Sequence, residues 1–71
     1  MDIVRFNEAV QRKAQFTHVE KGHTYIVREI LISKHPQTGE WYDAVFYEQL
    51  ETGKFFVRSV QSFLDNFELN F

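Results

Sequence analysis

The side chains best suited to chemistry are His18, His23 and His35, the carboxylates Asp43 and Glu48, and Arg58, which stands among aromatic rings. Zinc sites place His ligands four apart on a helix or close across a turn, commonly with Cys. Here His18 and His23 lie in an expected loop, His35 sits beside Pro36 in an expected turn, and there is no Cys. Solvent-facing loop histidines are therefore expected, with no metal site. Asp43 or Glu48 beside Arg58 has the makings of a general base with an anion clamp. The same residue types also form ordinary cross-strand ion pairs, which are far commoner. The chain has no nucleophile elbow, phosphate-cradling Gly-rich loop or Cys nucleophile. No catalytic residue and no cofactor are expected.

The remaining chemistry is recognition. The stretch EWYDAVFYEQLETGKFFVRSV, 40–60, carries Trp41, Tyr42, Phe46, Tyr47, Phe55 and Phe56. As a strand, 40–50 puts Tyr42, Ala44, Phe46 and Glu48 on one face. Trp41, Asp43, Val45, Tyr47 and Gln49 fall on the other. Across an expected turn at ETGK, Phe55 and Val57 share one face of the next strand, and Phe56 and Arg58 share the other. A half-buried antiparallel strand needs large apolar residues on one side only, yet both sides carry rings. Either the N-terminal helix and C-terminal tail cover the second face, or part of it is exposed for a partner. Tyr42, Phe46, Phe55 and Val57 are taken as core. Trp41, Tyr47, Phe56 and Arg58 are the candidate partner-binding residues, since rings and Arg are favoured at recognition surfaces.

The elements that must position these residues follow from composition and period. A chain of 71 residues is one domain near the small end of independent folding. With no Cys to staple it, eight Phe, three Tyr and one Trp must supply the core. Charge is balanced at −2, against both a broad phosphate-binding surface and a convincing acidic mimic of DNA. No secretory signal or membrane-length apolar run is visible, so a cytoplasmic protein is expected.

Asp2 can cap a helix over 2–15, in which Ile3, Phe6, Val10 and Ala14 form a stripe that packs on a sheet or mediates self-association. Thr24–Ser33 reads as a long strand. Its apolar parity shifts from Tyr25 and Val27 to Ile30 and Ile32, which predicts a bulge near Arg28–Glu29. Strands at 40–50 and 54–59 form a hairpin, and Ser59 caps a helical turn facing Val60, Phe63, Leu64 and Phe67 inward. Leu69 and Phe71 alternate in a closing strand.

The segment 18–68 resembles a bacterial and phage family of small SH3-like domains of unknown function. The likeness is carried by His18, Lys21–Gly22, YIV at 25–27, TGE at 38–40, VFYEQL at 45–50 and FVRSVQSFL at 56–64. Phe56 and Ser59 stand where the family pattern has Trp and Pro. The loops around Lys21 and Lys34 look longer, and the helix at 2–15 lies outside the matched segment. The elements themselves describe a small SH3-like barrel of bent antiparallel strands over 16–71, mostly β, with an N-terminal helix and a short C-terminal helical turn. The resemblance implies the same barrel over 18–68. It also implies a bacterial or phage accessory protein modulating a larger complex.

Together these readings predict a non-catalytic module that binds another protein through Trp41, Tyr47, Phe56 and Arg58. The alternative is nucleic-acid binding, with rings stacked on bases and Arg58, Lys54 and Lys21 on phosphates. A homodimer through the helix or a free strand edge is compatible with either.

Overall fold

In the computed structural model, which describes residues 1–70, the chain is mostly β, with a five-stranded antiparallel sheet and two short helices. Asp2 caps helix α1, Ile3–Gln11, by accepting the Arg5 N–H at 2.9 Å. The helix ends earlier than its apolar period suggests. Lys13 adopts a left-handed φ of 58°, its N–H bonds the Val10 carbonyl, and the Ala14 N–H reaches back to Ala9. This pair of reversed bonds closes a helix C-terminus. Ala14 still packs on the core, but from beyond the reversal, so the stripe continues after the helix has stopped.

The next residues form β1, Gln15–His18, a strand that the sequence reading had absorbed into a helix and a loop. Strands β2 (Thr24–Lys34), β3 (Trp41–Gln49) and β4 (Phe55–Ser59) continue the meander. Ser59 caps α2, Val60–Asn66, through its hydroxyl and the Ser62 N–H, as expected. Helix α2 then carries the chain back to β5, Phe67–Leu69, beside β1. The strand order is β4-β3-β2-β1-β5; among the described residues β4 and β5 are unpaired edges and the sheet is open. Phe71, half of the expected closing alternation, lies outside the described residues. Among those residues no helix is long and apolar enough to cross a membrane.

The expected bulge is present. Val27 pairs with Tyr47 but Glu29 pairs with Phe46, which leaves Arg28 as the extra residue. Val27 and Ile30 therefore both share the face of Tyr47 and Val45 despite their odd spacing. Both helices pack on that face. Phe6 and Ala9 of α1, Phe63 of α2, and Phe16, Tyr25, Val27, Val45, Tyr47 and Phe67 of the sheet form one buried cluster. The Phe63 and Phe67 rings stack with centroids 4.0 Å apart.

This arrangement reverses part of the expected division of the aromatic stretch. Tyr47 is core at 3% exposure, whereas Phe55 and Val57 are 54% and 53% exposed. Phe46 and Tyr42 are half-buried. The grouping by parity is correct, but the buried face is the other one, because α1, α2 and β5 cover the side of Val45 and Tyr47. On the outer side Phe46 and Phe55 stack on each other at 5.1 Å.

Candidate functional site

Three of the four candidate residues converge. Phe56 pairs with Tyr47 across β3 and β4, and Arg58 pairs with Val45, so all four side chains share the inner face. The Phe56 and Tyr47 rings stack at 5.7 Å. Phe56 is 38% exposed and Arg58 half-buried, at the margin of the core. Trp41 is 66% exposed and stands apart at the far end of β3, where Lys34 lies 5.7 Å over its ring. It lines a separate cleft with His35, Tyr42 and one side of Arg58.

Arg58 is held by two side chains. Its Nε donates to the Tyr47 hydroxyl at 2.9 Å and its Nη1 donates to Ser62 Oγ at 3.1 Å. The guanidinium lies 5.1 Å over the Phe67 ring, and the ring face is attractive to a cation. Neither carboxylate suspected of pairing with it does so. Glu48 is on the outer face, bound to Arg28 at 2.8 Å, and Asp43 makes no ion pair. Among the described residues Arg58 has no carboxylate partner, and its Nη2 has no hydrogen-bond acceptor.

Arg58 closes one side of a cleft of about 290 Å³. Tyr25, Tyr47 and Phe56 form its apolar wall. His18, Lys21, His23 and Gln49 supply the polar rim. The loop after β1 sets the rim. Gly22, at a φ of 74°, lets its N–H bond the His18 carbonyl, while the His18 N–H bonds the carbonyl of His23. That turn brings the Lys21 N–H to His18 Nδ1 at 3.2 Å. In the neutral ring the proton is then on Nε2, which becomes a donor without a protein acceptor. Burial first, then the charges of Arg58 and Lys21, push the His18 imidazole below its ordinary pKa, while Glu20 opposes them.

Two more polar residues, largely buried, face this cleft. Gln49 is 8% exposed, and its side-chain amide, with no hydrogen bond among the described residues, keeps contact with solvent. The Tyr25 hydroxyl is equally without a partner. Burial, then Tyr47 and Glu51, push its pKa up, so it stays a proton donor. On the rim, His23 reaches Glu51, 3.5 Å distant, whose carboxylate also accepts the Thr24 N–H. Among the described residues no group of three His, Asp or Glu is placed to hold a metal ion. Lys54 is exposed and does not line the cleft.

Sequence reasoning placed Tyr47, Phe56 and Arg58 on one face and listed Lys21 as a cation. It missed Tyr25, Gln49 and His18 as walls of the same cleft. The signal for Gln49 and Tyr25 was the shared parity with Tyr47 across the β2–β3 pair. Nothing in the local sequence brings the loop after β1 to Arg58. Compared with protein-family models, curated proteins and solved structures, the chain finds no match.

Proposed function

We propose that this protein is a non-catalytic interaction module, a small SH3-like barrel that binds another protein at the cleft between Phe56 and Arg58. The observation that carries the reading is a half-buried guanidinium fixed over aromatic rings with no carboxylate partner among the described residues. Leaving a partly buried charge uncompensated costs stability, so a position that does so is a candidate for binding. Arg and aromatic anchors in a partly desolvated depression are the usual source of interface energy. The barrel reading is supported by the meander of four strands, the helical turn between β4 and β5, and the return of β5 to the edge of β1. The residues that carry the family resemblance also fit this site. His18, Lys21, Tyr25, Tyr47, Phe56 and Arg58 come from five separate stretches and meet at one cleft. A role as a bacterial or phage accessory protein that modulates a larger complex accords with a small, non-catalytic binder.

Affinity capture from the native host tests the reading when the wild type is compared with Phe56→Ala and Arg58→Ala. A partner retained by the wild type and lost by both variants, with near-UV circular dichroism unchanged, is the expected result. Equal capture by all three proteins would remove the cleft from the interaction.

A further inference from the structure

The same cleft has a chemistry more specific than contact area. Resting on the protein-binding reading, we infer that it takes a carboxylate carried by the partner protein, with Arg58 as the counter-charge and the aromatic wall receiving the adjoining apolar group. Every polar group that faces the cleft without a protein acceptor can donate to an anion: Arg58 Nη2, the Lys21 ammonium, His18 Nε2–H, the Gln49 amide and the Tyr25 hydroxyl. Among the described residues no carboxylate lines it; Glu51 is engaged outside by Thr24 and His23. Gln49 and His18 are more than nine-tenths buried as residues, while their open hydrogen-bonding atoms still reach water at the cleft they line. These donors are open to water in the free cleft, and an oxygen anion that replaces the water can accept from several of them together.

Size and charge select the carboxylate over a nucleic-acid backbone. At about 290 Å³ the cleft sits at the bottom of the range that holds a whole small molecule, and suits one side chain or chain end. Among the described residues only two permanent cations reach it, Arg58 and Lys21, in a chain whose net charge is −2. A phosphate backbone needs a track of cations, each neutralising one charge. Here the cations converge on one point. Arg58 also offers planar, directional donors suited to a carboxylate.

The test is an NMR titration of the whole protein with N-acetyl-L-phenylalanine, its carboxamide, N-acetylglutamate α-amide, inorganic phosphate and a ten-nucleotide oligothymidine. The acid should saturably shift the Arg58 Nε–H, Gln49 amide and His18 ring signals, and raise the His18 pKa. The carboxamide should bind at least tenfold more weakly, which is at least about 1.4 kcal/mol. Arg58→Gln should weaken the acid tenfold or more. Lys21→Gln, at an exposed site that leaves folding intact, should weaken it two- to threefold, and Lys54→Gln should leave it unchanged. Tighter binding of phenylalanine acid than of the glutamate derivative assigns a chain terminus; the reverse order assigns an acidic side chain. Equal binding of acid and carboxamide, or shifts confined to other residues, would overturn the inference. So would tighter binding of phosphate or oligothymidine at these residues. If the acids fail here while Phe56→Ala still abolishes partner capture, the carboxylate falls and the interaction module stands. If the acids bind while capture ignores both variants, the anion site stands and its protein partner falls.

Discussion

Arg58 and Tyr47 are joined across adjacent strands, the guanidinium Nε donating to the phenol oxygen at 2.9 Å while the Tyr47 ring stays in the core. The bond converts a flexible surface cation into one held at the mouth of the cleft, because Tyr47 cannot move without disturbing Phe63 and Phe67, whose rings it meets at 5.3 and 5.4 Å. Tyr47→Phe keeps the ring and removes the acceptor. The expected loss is about 1 kcal/mol of stability, low for a charged bond because Arg58 can turn to water. Ligand affinity should fall as well, since the guanidinium loses its anchor. Urea unfolding and the acid titration measure the two effects separately. A variant that binds normally would show that Ser62 alone orients Arg58.

Lys13 is the residue that ends α1, and it does so in a conformation that costs a side chain with a Cβ roughly 1–2 kcal/mol. Glycine has no such penalty but gains more freedom in the unfolded chain. The net expectation for Lys13→Gly is a gain of about 0.5–1 kcal/mol, read as a higher urea midpoint with an unchanged slope. Lys13→Ala should gain nothing, because alanine keeps the Cβ. Equal stabilisation by both would mean that the lysine charge, not the backbone, is the unfavourable feature.

The α2 side chain packed under the inner face of the β3–β4 hairpin and the side chains on its outer face should respond very differently to truncation. Phe63→Ala removes a ring that is 0% exposed and should cost about 3–5 kcal/mol. That is a large share of what a chain this size holds, at roughly 0.05–0.15 kcal/mol per residue. Val57→Thr, on the outer face at 53% exposure, should cost less than about 0.5 kcal/mol. Phe55→Thr should cost somewhat more, because it also gives up the stack on Phe46. A cost for Val57→Thr near that of Phe63→Ala would mean that the outer face is covered in solution, as in a dimer.

These faces also mark how far the sequence could be read. Alternation sorted Phe46, Phe55 and Val57 from Tyr47, Phe56 and Arg58, and the parity slip after Val27 located the bulge at Arg28. Both are local signals with a period of two. Which face is buried is decided by α1 and α2, elements distant in sequence, and with rings on both sides the pattern is nearly symmetric. Strand β1 was obscured because Ala14 prolongs the helical period and only Phe16 and His18 mark the strand. The cleft was half legible for the same reason. Phe56 and Arg58 are neighbours on one strand, whereas His18 and Lys21 reach them only through the pairing of β1 with β2 and the turn at Gly22.

Protonation of His18 supplies the last test, because its surroundings favour the neutral ring. Burial, Arg58 and Lys21 lower its pKa in the folded state below the ordinary value of about 6.5, so the unfolded chain takes up this proton first as pH falls. Well above about pH 6.5 neither state is protonated there, and stability is independent of this group. Below it stability declines, until the pH passes the folded value and the loss is complete. Glu51 acts in a lower window. Its carboxylate is held below the usual range first by the Thr24 N–H, so its contribution is present at neutral pH and is lost only as the pH falls through that lowered value. Urea unfolding of the wild type should therefore show a decline between pH 7 and 5.5 that His18→Gln removes, with a second decline at more acid pH remaining in both proteins. A wild type that is flat over the upper window, or a variant that keeps the same slope there, would mean that the His18 ring takes up its proton as readily folded as unfolded.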